Sequence, residues 1–205
     1  MALTMVHLLA ADRWADGHAE YKENPSFFYG VISPDAIHIR DGGDKSHKDE
    51  LHLHNWRKPH PDEVIAYWRA HHDPFDIGYG VHVMTDGQWV QRYLRLLPGL
   101  ILPTGKLDTD IYYNDTFVTD FRLYRSSPRL EALLQMIATA PTPEGHPCLT
   151  AYEFDQWRER ILKAYRGECP YHGEVQFIDE DYVKAFVEDC VALIDETYYR
   201  FEKGL

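Results

Sequence analysis

The chain has 205 residues, a mass of 24.0 kDa and a formal charge of −12, from 21 basic and 33 acidic side chains. That length suits one compact domain over residues 1–205, and 44% hydrophobic with 14% aromatic content excludes a disordered chain. The acidic balance argues against non-specific nucleic-acid binding and against a polybasic membrane-surface module, both of which rest on Lys and Arg.

No segment approaches the ~20 apolar residues of a membrane span, so no stable membrane anchoring is expected. The start, MALTMVHLLAADRW, holds a short apolar run with no basic region before it and with His7 inside it. It does not read as a signal peptide, and a cytoplasmic location is expected. Cys148, Cys169 and Cys190 are an odd set without a C-x-x-C pair, which fits reduced, structural thiols.

Taken in chain order, residues 2–15 place Val6, Leu9, Ala10 and Trp14 near a 3.6-residue period and predict a helix. Turn residues cluster at Asp41-Gly42-Gly43-Asp44. Pro61 opens a helix with Asp62 and Glu63 in its first turn, and Pro74 opens another to about Leu96. Pro98 to Gly105 is a second turn cluster. Asp108–Tyr124 reads as helix, with a strand as the alternative because of its β-branched and aromatic content. Pro128 opens a helix through Ile137, and Pro141 to Pro147 is a third turn cluster. Thr150 with Glu153 three residues on fits a capping box, and Asp179 caps the last helix. Convincing strands are absent, so an all-α bundle of six to eight helices is expected.

Histidine carries the chemical signal. Eight of the twelve (His38, His47, His52, His54, His60, His71, His72 and His82) fall between residues 38 and 82, among many aspartates. Imidazole and carboxylate together are the ligand set of zinc, iron or manganese. In G-Y-G-V-H-V-M-T-D, residues 78–86, His82 and Asp86 are four apart and share one helix face in apolar surroundings. Such a pair holds one ion or hydrogen-bonds within the core. In Ser33-Pro34-Asp35 the proline stiffens the backbone before a carboxylate, which either binds metal or caps a helix. Asp44 to His47 is followed by His52 and His54, of which at most one joins His47. His7 is a lone polar group on an apolar helix face. Asp115 and Asp120 are candidates to orient a ligand histidine, against a reading as surface and packing residues. No P-loop is present.

In this order the features resemble the zinc-dependent phospholipase C family, in particular its small intracellular bacterial branch, whose helical fold is shared with zinc-dependent single-strand nucleases. The likeness runs from His7 through F-F-Y-G-V-I-S-P-D and D-K-S-H to F-D-I-G-Y-G-V-H-V-M-T-D-G-Q-W, covering residues 5–90. It implies a helical bundle with metal ions between helices. His7, Asp35, His47 and His82 would be ligands, Asp86 would bridge two metals, and Asp35 would also act as base towards water. The chain departs from the family in two places. Six residues precede His7, where the secreted enzymes use their N-terminal amine. His172 is followed four residues later by Gln176 where a glutamate is needed. One or two ions are therefore expected, not three.

The expected activity is metal-dependent hydrolysis of a small phosphate ester, with zinc the first choice of ion and iron or manganese the others. The rivals are an HD-type phosphohydrolase, in which His72-Asp73 would be the dyad with His47 before it and Asp108 or Asp110 after it, and a non-catalytic metal-binding protein.

Overall fold

The computed structural model describes residues 2–40, 47–54 and 57–205. Within them lie ten α-helices and no named strand: α1 (Thr4–Ala15), α2 (Ala19–Lys22), α3 (Pro25–Ile32), α4 (Lys48–Leu51), α5 (Pro61–Ala70), α6 (Pro74–Leu96), α7 (Thr109–Ser126), α8 (Pro128–Thr139), α9 (Ala151–Arg166) and α10 (Glu180–Lys203). Turns of 3₁₀ helix follow α3 at Ser33–Ile39 and α6 at Pro98–Leu100. The fold is all-α, as the sequence indicates. The helix number exceeds the expected six to eight because α2 and α4 have only four residues each, too short to show a period.

Local signals set the boundaries. Pro25, Pro61, Pro74 and Pro128 open their helices. Thr150 and Glu153 form the reciprocal capping box of α9, and Asp179 accepts from the Tyr182 amide to cap α10. Asp108–Tyr124 is helix, not strand. Asp108 caps α7 at the Ile111 amide, and the buried positions Tyr112, Asp115, Thr116, Thr119 and Leu123 recur with helical spacing. The Asp41–Asp44 turn lies outside the described residues.

The core is one cluster in which Trp14, Trp68 and Trp89 are fully buried. Its tightest crossing joins α3 to α6. A Cβ on Gly30 would stand 1.9 Å from the Phe75 carbonyl oxygen, and one on Gly78 would stand 2.1 Å from that of Phe27. Only glycine lets the two backbones touch at both points. This contact brings the last turn of α3, and the 3₁₀ turn beyond it, against the middle of α6. The C-terminal helix packs its aromatic face inward, with Tyr198 5.8 Å and Phe201 5.7 Å from the Trp68 ring centroid. Among the described residues, no helix is long and apolar enough to cross a membrane.

Candidate metal centre

Asp35, His52, His82 and Asp86 converge, each offering a ligand atom within 4.8 Å of the others. Three elements deliver them. The middle of α6 presents His82 and Asp86 on one face, one turn apart. Asp35 projects from the 3₁₀ turn that continues α3, and His52 is the residue at which α4 ends. All four are buried: Asp86 and His52 are 0% exposed, His82 1% and Asp35 8%.

The hydrogen bonds decide how the histidines are protonated. His82 Nδ1 is 2.7 Å from the Val31 carbonyl oxygen, and His52 Nδ1 is 3.0 Å from that of Lys48. A carbonyl only accepts, so each Nδ1 carries the proton. In the neutral rings each Nε2 is then a bare lone pair. Those two Nε2 atoms stand 3.3 Å apart. His52 Nε2 is also 3.3 Å from Asp86 Oδ2 and 3.8 Å from Asp35 Oδ1, and His82 Nε2 is 3.8 Å from Asp86 Oδ2. Among the described residues, Asp86 Oδ2 and Asp35 Oδ1 have no hydrogen-bond partner although buried. Within those residues four acceptors therefore converge with no donor between them, a costly arrangement that a cation at their centre would satisfy. Two imidazoles and two carboxylates form a donor set suited to zinc, iron(II) or manganese.

Electrostatics agree. Burial, joined by repulsion from His7, pushes the His82 pKa down to about 3, so the ring is neutral at physiological pH. Burial alone would raise the Asp86 pKa, but the positive charge of the N-terminus, the largest opposing influence, holds it well below the usual range. Burial likewise opposes ionisation of Asp35, and His38 is the largest influence that lowers its pKa.

Around the four sit two more histidines. His7, from α1, stacks on His82 at 3.9 Å between ring centroids and 4° between planes. Its Nε2 is 3.4 Å from Asp86 Oδ1, which also accepts the Ala2 amide at 2.8 Å. Neither ring nitrogen of His7 is hydrogen-bonded. Asp86 thus turns one oxygen toward the four-residue cluster and the other toward α1. His38 places Nε2 3.6 Å from Asp35 Oδ1, where side chains of the group reach solvent among the described residues: the Asp35 side chain is 11% and that of His38 17% exposed.

Of the sequence candidates, Asp35, His82 and Asp86 fall within the cluster and His7 borders it. His47 does not belong to it. It precedes α4 as an exposed side chain, with Nδ1 3.0 Å from Glu50 Oε2. One turn of helix separates it from His52, which points inward instead, while His54 is exposed. Asp44 lies outside the described residues. Immediately after His52, Leu53 and His54 adopt φ of 50° and 75°, left-handed values that residues with side chains rarely take. This strained turn reverses the chain directly behind a cluster residue.

His38 was missed as a neighbour of the site. Its only sequence signal is the three-residue spacing from Asp35 in S-P-D-A-I-H. Asp115 accepts the Gln176, Phe177 and Ile178 amides, and Asp120 accepts the Met5 amide and the Tyr165 hydroxyl. Both are loop and helix anchors that touch no cluster histidine. His72 and Asp73 are exposed at the start of α6, Asp108 caps α7 and Asp110 is exposed, so the HD-type constellation does not assemble.

Compared with protein families, with curated proteins and with solved structures, the chain finds no match in any of the three.

Proposed function

We propose that this chain is a metal-dependent hydrolase of small phosphate esters. A divalent transition-metal ion, zinc first, would be held by Asp35, His52, His82 and Asp86. The observation that supports it is the facing pair of unprotonated Nε2 atoms, closed in by two carboxylate oxygens without donors.

A divalent ion there supplies Lewis acidity toward a phosphoryl oxygen and makes water a competent nucleophile near neutral pH. The chain's own residues do the rest. The Val31 and Lys48 carbonyls fix both rings with Nε2 inward. Asp35 is the member of the four nearest solvent, and its carboxylate is ionised at neutral pH, so it can accept a hydrogen bond from an incoming water and orient it. His38 lies next to Asp35 on the solvent side.

One observation favours a different reading, a structural metal. His52 and Asp86 are fully buried, and four protein ligands can close a tetrahedral shell. Hydrolysis assays separate the two. Purified protein is assayed against p-nitrophenyl phosphate and its bis-ester, wild type beside Asp35→Asn and His38→Gln, with bound metal measured in each. Activity lost in Asp35→Asn while metal remains supports hydrolysis. Bound metal with no turnover of either ester supports the structural site. Absence of metal, with none taken up from added zinc, manganese or iron, removes both.

A further inference from the structure

A cavity of about 530 Å³ opens at the start of α6. Its size is that of ordinary small-molecule sites. Three segments wall it: the chain entering α3, the end of α5 with the start of α6, and the Pro141–Pro147 turn. The proline turn is a stiff wall, closed by Gly145, whose φ of 72° turns the chain back.

The chemistry of the lining is one-sided. Among the described residues, it contains the carboxylates of Asp73, Asp76 and Glu144 and no Lys or Arg. It also contains the rings of Tyr67, Phe75, His71 and His146. The aromatic part is ordered: His71 lies 5.1 Å from Tyr67, and His146 lies 5.6 Å from Tyr79. Tyr67 donates its hydroxyl to Asp76 Oδ1 at 2.7 Å, which fixes that half-buried carboxylate. His146 Nδ1 accepts the Cys148 and Leu149 amides, so the ring's proton sits on Nε2. Carboxylates beside electron-rich rings are the recognition chemistry of organic cations. Arg158, whose guanidinium donates to Thr142 of the lining, is itself paired with Asp155. An anion would meet three like charges there. A neutral apolar guest would desolvate the carboxylates without compensation.

We propose that this cavity binds a small organic cation, a protonated or quaternary amine, with Asp73 and Asp76 as counter-charge and Tyr67 and Phe75 as aromatic contacts. The site is separate from the metal-site cluster and does not depend on it. Tyr79 connects the two, since its ring packs on His146 and its hydroxyl donates to the Leu51 carbonyl, one residue before His52.

Calorimetric titration of the purified protein tests this, with n-butylammonium and tetramethylammonium as probes and n-butanol and acetate as neutral and anionic controls. Saturable one-to-one binding of an ammonium probe is expected, about tenfold tighter than butanol, falling as salt rises. Asp73→Asn and Asp76→Asn should each weaken it about tenfold, with bound metal and thermal midpoint unchanged in Asp73→Asn. Asp73 is exposed and caps nothing through its side chain, so that variant keeps the fold whatever happens in Asp76→Asn. The proposal is overturned if neither cation binds at tens of millimolar, if butanol binds equally well, or if Asp73→Asn binds as wild type does.

Discussion

Nε2 of His52 and Nε2 of His82 face each other at 3.3 Å, each ring having committed its other nitrogen to a backbone carbonyl. Neutral imidazoles so placed repel unless a cation or a shared proton lies between them. The first prediction separates these cases. Elemental analysis should find at least about one transition-metal ion per chain, lost in His52→Ala, His82→Ala and Asp86→Ala, and kept in His47→Ala. Metal loss in His47→Ala with retention in His52→Ala would reverse the assignment made here.

The second prediction concerns the glycine crossing that places Val31 against His82. In Gly78→Ala the new methyl group meets the Phe27 backbone, which cannot rotate away as a side chain can. A loss of about 1–3 kcal/mol is expected, a fall of several degrees in the thermal midpoint. Metal affinity should drop with it. An unchanged midpoint would show that α3 and α6 are less closely packed than the structure has them.

Tyr79 supports the cluster from behind by donating to the Leu51 carbonyl at 2.6 Å. Tyr79→Phe removes that hydrogen bond and keeps the ring. Metal dissociation should become roughly tenfold faster or tighter binding be lost by a similar factor, as for other groups that orient ligands. Competition with a chromogenic chelator measures it, and equal affinity in the two proteins would count against a role for Tyr79.

The metal-free protein should lose stability in acid. His82 titrates near 6.5 when unfolded and at about 3 when folded, because the buried site disfavours its charged form. Below pH 6.5 the unfolded chain binds this proton and the folded chain does not, so stability falls as pH drops from about 6.5 toward 3. Asp35 and Asp86, also depressed, add to the loss below about pH 4. Denaturant unfolding across pH 4–8, with chelator, should show this slope in wild type and less of it in His82→Asn.

Asp120 works in the opposite sense. Burial raises its pKa to about 7 despite its hydrogen bonds with Tyr165 and Met5. The folded state therefore prefers the protonated form, and stability declines as pH rises from about 4 through 7. Asp120→Asn should be more stable than wild type at pH 8, and the advantage should vanish near pH 4. A variant less stable at both would show that both acceptor oxygens outweigh the buried charge.

Much of this protein was legible one segment at a time. Helix starts at Pro61, Pro74, Pro128, Thr150 and Asp179 depend on residues within a turn of the boundary. The His82–Asp86 pair depends only on helical spacing. Those facts are local, and local sequence determines them. His52 was different. A four-residue helix has no period to read, and the positive φ at Leu53 and His54 is imposed by surroundings against their intrinsic preference. Nothing in the residue types of 47–54 says which histidine turns inward. That choice rests on Tyr79, 28 residues on, holding the Leu51 carbonyl. Likewise, Gly30 and Gly78 are unremarkable in sequence until two backbones are seen to touch there. Sequence alone determined the helices and most of the chemistry-bearing residues, because both follow from near neighbours. Tertiary structure decided which of those residues meet, because convergence of buried acceptors depends on packing between segments far apart in sequence: 51 residues from Val31 to His82 and 84 from Ala2 to Asp86.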